Sequence, residues 1–586
     1  MEEELRMNFG DGPHSEMSAA HTTPCRRILC SRYLQPRLTP KTPGRRPHLS
    51  KIPNTLELHR SLASGRGLGI QLRTMSTGFA SEALFGGLPI GILSDSYKAG
   101  HFTQYPKATE ASAYGEFRRG YNKDKEDTRC VFYGIRYIVE TFLHRRWTRS
   151  DVDNVSKFYA THKAPFNTEY PWPKDLFYDI VEECDGYFPV KLEALPEGTC
   201  VNSHVPVFQI TAKGKYTGLV TFLETLLCQV WYPTTVATLS RRCRQIVEDG
   251  FERSVDDDRK FLVPSRLHDF GFRGCTCAEQ SVIGGCAHLL SFEGSDTMSA
   301  AYYAQFVLNG GKAVASSIPA TEHSVMMSWE TEKEAIENMI EVYGDGIFAC
   351  VMDSYDYARA LDEILPSVAS KKNARGDGGY MVLRPDSGDP VEAVLMALRA
   401  AEKVFGSEVN SKGFKVIKGC GVIQGDGINI DGLRRILEAA MEAGYSAENV
   451  AFGMGGGLLQ KVNRDTMSFA TKLSAIVPES TGEERIVMKA PKTDVGKTSL
   501  PGRLAVKYVE GEGGMRTPTV FPKDLVSPED NLLEVVYDHK PVGKEWDSFD
   551  KVRERVADTW RALAPAADAV SQEMRSLQAQ HNPHNK

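Results

Sequence analysis

The residues with chemical potential gather in the second half of the 586-residue chain. Asp353 follows the apolar run Phe348-Ala-Cys-Val-Met352, and Asp386 follows Tyr380-Met-Val-Leu383 within Arg384-Pro-Asp-Ser-Gly388. Carboxylates just beyond strand-like runs can hold a ribose diol, or the Mg2+ that travels with a diphosphate. Each can equally cap the helix that follows. Arg384 offers charge-assisted hydrogen bonds to an anionic group. His323 lies in Pro319-Ala-Thr-Glu-His-Ser324 with Glu322 beside it, a setting for a base or nucleophile as well as for a structural histidine. Two glycine-rich stretches, Gly425-Asp426-Gly427 and Gly453-Met-Gly455-Gly456-Gly457, also follow apolar runs, and Arg464 stands just beyond the second. Without a Cβ, their N–H groups can approach phosphate oxygens closely; simple turn chemistry accounts for them too. Gly496-Lys497-Thr-Ser499 resembles the end of a P-loop, but Pro491 stands where that motif needs its first glycine. Leu500-Pro-Gly502 then denies the helix that should follow, so only Lys497 survives as a phosphate contact. Together these residues point to an enzyme acting on a phosphorylated sugar.

Such side chains must be held at the ends of regular elements. From about residue 265, short apolar runs end in glycine or a polar residue and lead into helical segments. Asp389, Pro390 and Glu392 predict one helix start, and Gly444 predicts the end of another that passes through Ala440. Repeated strand–loop–helix units predict a parallel sheet wound or closed by helices, with the polar residues at the mouth of a (β/α) barrel. Residues 188 to 212 hold short β-like runs broken by Pro and Gly, the first of which, Val190-Lys-Leu-Glu-Ala194, alternates with period two and predicts a half-buried antiparallel sheet, and Thr217 to Tyr232 reads as one core helix. Arg503 to Val509 with Met515 to Val520 reads as a hairpin, Asn531 to Val542 as another, and residues 548 to 563 as a closing helix. The expected class is α/β, an irregular (β/α) barrel joined to a second, mainly antiparallel domain. The barrel would span 265–469 and the second domain 84–264 with 470–563, between a basic extension, 1–83, and a polar tail, 564–586.

Hydrophobic residues make up 41% of the chain and charged residues 25%, ordinary globular usage. A net charge of -6 gives no electrostatic reason to expect nucleic acid or a membrane surface as a partner. No stretch approaches the ~18 apolar residues of a spanning helix. Cys275, Cys277, Cys286 and His288 form the one cysteine cluster, but their spacing fits no usual zinc site, and small buried thiols in a reducing compartment are expected. Met17 to Thr55 holds no Asp or Glu but carries Arg26, Arg27, Arg32, Arg37, Lys41, Arg45, Arg46 and Lys51. That composition suits a disordered basic extension or an organellar transit peptide, so the expected location is cytoplasmic, or mitochondrial or plastid if the extension is a transit peptide.

Longer strings carry more. Asp95-Ser-Tyr-Lys98, Leu267-His-Asp-Phe-Gly-Phe-Arg-Gly274 and Gly294-Ser-Asp-Thr297 precede the histidine motif. Asp353-Ser-Tyr-Asp356, the Arg384 motif, Val422-Ile-Gln-Gly-Asp-Gly427 and Phe452-Gly-Met-Gly-Gly-Gly-Leu-Leu-Gln-Lys461 follow it. In this order and spacing, from about residue 88 to 560, they closely resemble the nicotinamide phosphoribosyltransferases, of the type II phosphoribosyltransferase fold. The resemblance implies condensation of nicotinamide with phosphoribosyl pyrophosphate. It implies Mg2+ on the diphosphate, ATP as an activating co-substrate, and a homodimer with shared active sites. It places the nicotinamide ring between Phe270 and Tyr97 of a second subunit, with Arg384 and Asp296 at the amide. Arg273, Asp386, Gly425, Asp426, Gly455 and Gly456 fall at ribose and phosphate positions. Arg118, Arg464, Lys472, Lys489 and Lys497 fall in the diphosphate and ATP region. His323 matches a phosphorylated histidine and Asp353 its carboxylate partner. Phe272, Met352, Met454 and Ala470 depart from the common residues. The alternatives are nicotinate phosphoribosyltransferase, or a non-catalytic interaction protein on the same scaffold.

Overall fold

The structure, a computed structural model, describes residues 88–162, 170–375 and 379–585; the basic extension and its transit-peptide reading lie outside the described residues. Two sheets organise the chain. The parallel one has the strand order Leu267–Asp269, Val450–Met454, Cys420–Gln424, Tyr380–Arg384, Ile347–Val351. Single bridges extend it around a ring: Asp269 to Ser295, Gly294 to Ser316, and Ala320 to Ala349. The barrel is therefore irregular, with short bridging segments where full strands would otherwise stand. These strands are buried on both faces, which explains why they read as continuous apolar runs with no alternation.

Helices cover the outside. Pro390–Phe405 begins at Asp389, whose carboxylate accepts from the N–H groups of Val391 and Glu392 at 3.0 and 3.1 Å. It turns Ala393, Val394, Ala397, Leu398 and Ala401 inward, a stripe at helical spacing. Burying side chains such as Val394 and Leu398 contributes roughly 1.5–3 kcal/mol each. Ile430–Glu442 does the same with Leu433, Ile436 and Leu437, and Gly444 ends it in the left-handed region at φ 84°.

The second sheet is antiparallel, in the order Arg485–Ile486, Phe469–Pro478, Ala108–Phe117, Pro206–Lys213, Val190–Ala194, Glu534–Asp538. It joins segments before and after the barrel in sequence. Leu504–Glu510 and Arg516–Pro522 form the expected hairpin. Two expectations need correction. Asn531 to Val542 is not a hairpin: Glu534–Asp538 is a single edge strand on Val190–Ala194. Thr217 to Tyr232 is not one helix but three short turns, Leu219–Phe222, Glu224–Leu227 and Cys228–Val230, leading into the long helix Trp231–Ser254. Continuous burial of this run on several sides hides such breaks from periodicity. The carboxy-terminal segment contains the helix Gln572–His581, which buries Met574 against Tyr114 and Leu500. No helix among the described residues is long and apolar enough to cross a membrane.

Candidate active site

The barrel strands deliver their polar residues to one end. Ile347–Val351 leads to Asp353, Tyr380–Arg384 ends in Arg384, Cys420–Gln424 leads to Gly425 and Asp426, and Leu267–Asp269 leads to Phe270. His323 opens the short helix His323–Met327 between two carboxylates. Its Nε2 lies 3.3 Å from Asp353 Oδ1, and its Nδ1 lies 3.7 Å from Asp386 Oδ2. Asp353 caps no helix; its Oδ2 accepts from the Asp386 N–H at 2.9 Å and the Ser387 hydroxyl at 2.5 Å. Asp356 does the capping instead, accepting from the Arg359 N–H. Arg384 donates to Asp386 Oδ1 at 3.1 Å and to the Thr321 carbonyl at 3.4 Å, while its buried Nε has no partner.

Phe270 lies beside this network, its ring centroid 5.9 Å from the Arg384 guanidinium. Glycines make the room. A Cβ at Gly453 would sit 1.9 Å from Phe270 Cε2, and one at Gly425 would sit 3.0 Å from it. The glycine-rich loops thus have a packing reason that the sequence reading missed: they admit an aromatic ring as well as offering backbone to a ligand. Phe270 packs on Ala349, Val382 and Ile423 inside the barrel. The preceding Asp269 holds the turn by accepting from the Gly271 N–H at 2.7 Å. Burial raises the Asp269 carboxyl to about 6, against the pull of that N–H.

Asp296 is exposed; its Oδ1 accepts from the Ser317 hydroxyl at 2.7 Å, and its N–H donates to the Asp269 carbonyl at 3.0 Å. Arg273 and Asp426 are exposed, and their side chains make no hydrogen bond or ion pair among the described residues. Gly455 has φ -95° and ψ -101°, and Gly456 opens the turn Gly456–Leu459. Ser317, Ser387 and Gly453 had no individual role in the sequence reading. For Ser387 and Gly453 the signal was present, since both lie inside motifs already singled out; for Ser317 there was none.

A second group of predicted residues sits at the antiparallel sheet. Lys472 pairs across strands with Tyr114, and Arg118 follows the end of the same neighbouring strand. Arg118 Nε donates to the buried Glu116 at 2.9 Å, but its buried Nη2 has no partner. The Lys472 ammonium donates to the Thr471 carbonyl at 2.6 Å and has no carboxylate in contact among the described residues. Burial, then Arg118, and more weakly Lys489, lower its pKa below 10.5, against Glu224 and Glu116. Lys497 pairs with Asp494 at 3.1 Å. Glu224 connects this group to Tyr97: it pairs with Lys98 at 2.8 Å, and Lys98 stands 5.1 Å from the Tyr97 ring centroid. Tyr97 itself is 58% exposed and meets His101 edge-on. Arg464 is exposed and lies near Cys228, whose thiol also feels Glu224 and Lys98. No hydrogen bond, ion pair or ring contact among the described residues joins this group to Phe270, Arg384 and His323.

Of the cysteine cluster, the expectation of buried thiols holds for Cys286 alone: Cys275 is half-buried and Cys277 is exposed at the start of the helix Ala278–Leu289. Cys286 and His288 are buried, His288 meets the Ser240 hydroxyl at 2.6 Å, and no group of three metal-ligating side chains is gathered among the described residues.

Comparison with known proteins agrees on the relationship. Residues 265–525 match the nicotinate phosphoribosyltransferase (NAPRTase) family, and residues 89–192 match the nicotinamide phosphoribosyltransferase N-terminal domain. A nicotinamide phosphoribosyltransferase of Xanthomonas campestris is 40% identical over 78% of this chain and 96% of its own length. One of Acinetobacter baylyi is 30% identical over 79% of this chain and 96% of its own length. Among solved structures, human nicotinic acid phosphoribosyltransferase superposes with a TM-score of 0.56 at 18% identity, covering 84% of this chain and all of that one, a likeness of fold.

Proposed function

The chain belongs to the nicotinamide phosphoribosyltransferase family, phosphoribosyl-transferring enzymes of NAD salvage, and we propose that it condenses nicotinamide with phosphoribosyl pyrophosphate to give nicotinamide mononucleotide and diphosphate. The pyridine nitrogen forms the new bond to the anomeric carbon as the bond from that carbon to the diphosphate oxygen breaks. The electron pair of the broken bond leaves with diphosphate, and no proton has to be removed. The ring becomes a cation, and an aromatic face such as that of Phe270 favours it by about 0.5–2 kcal/mol. Mg2+ arrives as part of the diphosphate substrate, since it binds through few carboxylates and several phosphate oxygens.

The observation that carries the amide preference is the rim around Phe270. Arg384 lies on one side, and the exposed Asp296 is held by Ser317 beside the turn that supports the ring. A carboxylate accepts from the amide NH2 of nicotinamide and repels the carboxylate of nicotinate. Like charges about 4 Å apart at an effective dielectric of about 20 cost ~4 kcal/mol, or roughly a thousandfold in selectivity. The test is kcat/KM for both substrates in wild type and Asp296→Asn. Wild type is expected to prefer nicotinamide, and the variant to narrow the ratio chiefly by gaining on nicotinate. A wild-type preference for nicotinate, or an unchanged ratio, contradicts this reading.

ATP coupling rests on His323, whose half-buried imidazole is steered by Asp353 and Asp386. Transient phosphorylation there would link ATP hydrolysis to turnover while the histidine stays out of the bond-forming step. His323→Ala should abolish ATP stimulation and ATP hydrolysis yet spare ATP-independent synthesis; undiminished hydrolysis removes the role. The active form is a homodimer in which Tyr97 and the sheet cations of one subunit complete the barrel mouth of the other. Exposed apolar side chains such as Met298, Phe306 and Met327 supply surface for such a contact.

A further inference from the structure

Residues 564–585, in the segment whose sequence predicts a polar tail, are built into the fold beside the sheet cations. The Ala569 carbonyl accepts from the Val520 N–H at 2.9 Å, and the Ser571 N–H donates to the Val520 carbonyl at 3.1 Å, which lays the chain along the hairpin strand Arg516–Pro522. Ser571 then caps the helix Gln572–His581, its hydroxyl accepting from the Met574 N–H at 3.1 Å. Beyond the helix, Asn582 fixes a turn: its side-chain oxygen accepts from the His584 N–H at 3.0 Å and its carbonyl from the Asn585 N–H at 2.9 Å.

This segment grips one loop, residues 489–499, which carries the exposed Lys489 and Lys497. The loop is closed at its neck. The Lys489 N–H donates to the Ser499 hydroxyl at 2.9 Å, and the Ser499 N–H donates to the Lys489 carbonyl at 2.9 Å. Both sides of the neck meet the segment. The Gln578 amide donates to the Ser499 carbonyl at 3.3 Å. The His584 Nε2 lies 2.6 Å from the Ala490 carbonyl, and since a carbonyl only accepts, the imidazole donates. Met574 is fully buried in one cluster with Leu500 and Tyr114, and the Leu500 N–H donates to the Tyr114 hydroxyl at 2.7 Å. Tyr114 is the cross-strand partner of Lys472. One helix and its turn thus hold the loop with two lysines and pack on the residue opposite a third. A loop that must be ordered as its ligand arrives loses affinity to that ordering, and a loop held beforehand does not.

We propose that the helix Gln572–His581 and the turn after it brace the 489–499 loop, with Met574, Gln578 and His584 as positioning residues that act through Lys489 and Lys497 on affinity for a polyphosphate substrate, on the reading that those lysines face phosphoribosyl pyrophosphate or ATP. The test is steady-state kinetics of the full chain, with KM measured for phosphoribosyl pyrophosphate, ATP and nicotinamide. The variant Lys489→Met with Lys497→Met identifies the polyphosphate that the loop serves, as the one whose KM rises. For that substrate, Gln578→Ala with His584→Ala should raise KM on the order of fivefold, the scale of one lost hydrogen bond. The KM for nicotinamide and kcat at saturation should be unchanged, and amide hydrogen exchange at Lys489 and Ser499 should quicken. A chain ending at Val570, which loses Met574 as well, should show a larger rise in the same KM. If the lysine variant weakens a polyphosphate substrate while Gln578→Ala with His584→Ala keeps the wild-type KM, or lowers only kcat, the brace is overturned and the reading of the lysines stands. If the lysine variant keeps both wild-type KM values, that reading fails and takes the brace's role with it. Gln578→Ala with His584→Ala retains Met574 and decides the matter should the shortened chain fail to fold.

Discussion

The barrel mouth and the sheet face carry charge in opposite ways. At the centre of the barrel mouth charges of opposite sign answer one another within the chain, His323 by Asp353 and Asp386 and Arg384 by Asp386, with Asp353 also held by Ser387 and a backbone N–H, while Arg273 and Asp426 stand exposed and Arg384 keeps a buried Nε unpartnered. At the sheet face the cations crowd one another. Among the described residues, Lys472 feels Arg118 and Lys489 with no carboxylate in contact, and Arg118 keeps a buried donor unpartnered. The first region has the fixed geometry that the proposed reaction asks of a site for a neutral ring and a sugar. The second is short of negative charge, which suits the phosphate-rich ligand proposed for it. A reaction that joins an uncharged base to a sugar diphosphate needs one of each.

The largest effect should come from removing the ring at the barrel mouth. Phe270→Ala should lower kcat/KM on the order of a hundredfold, since an aromatic stacked on a heterocycle is worth about 1–3 kcal/mol. Gly453→Ala sharpens the point without touching the ring's chemistry, because its Cβ would displace Phe270 from 1.9 Å away. It should cost a comparable loss in activity while lowering stability by only about 1–3 kcal/mol. A fully active Gly453→Ala enzyme would show that the ring's position is not what matters.

An intermediate effect is expected at the sheet face. Lys472→Met should raise the KM for phosphoribosyl pyrophosphate on the order of tenfold, as a charge-assisted hydrogen bond is worth about 1.5–3 kcal/mol. The pH profile separates charge from shape. Lys472 has a lowered pKa, so affinity for the diphosphate is present at neutral pH and is lost as pH rises through a value below 10.5. That alkaline limb should vanish in the Met variant. A limb that persists unchanged would assign it to another group.

The smallest effect concerns the support beneath Phe270. The Asp269 carboxyl is raised from 3.8 to about 6, chiefly by burial. The native state therefore holds this proton more tightly than the unfolded chain. Wild type is relieved of the buried charge below pH 3.8 and loses stability as pH rises towards 6. Asp269→Asn escapes that loss, so its stability relative to wild type should grow by up to about 3 kcal/mol between pH 4 and 7. Urea unfolding at the two pH values measures it, and a pH-independent difference would mean that Asp269 is charged at little cost.

Much of the barrel mouth was legible in the sequence because strand ends, caps and motifs are local. Asp353, Arg384 and Asp386 each terminate an apolar run, and Asp389 caps its helix as its spacing predicts. The pairings between them were not legible. His323 meets Asp353 across 30 residues and Asp386 from yet another loop, and no local rule fixes such distances. The sheet face was harder still. Lys472 faces Tyr114 only because a strand after the barrel pairs with one before it. The broken run between Thr217 and Tyr232 shows the converse failure: its apolar content predicts burial, but burial on all sides erases the period that would mark each turn.

The claim that one catalytic centre is built from the barrel mouth of one subunit and the sheet face of another has a direct measurement. Tyr97→Ala and Phe270→Ala chains should each be nearly inactive alone and, unfolded and refolded together or co-expressed, should form mixed dimers. In a two-fold dimer each mixed pair holds one doubly damaged site and one intact site, so random exchange should restore about a quarter of wild-type activity. If subunit exchange is verified and no activity returns, both rings belong to a single chain and the account of a shared site is wrong.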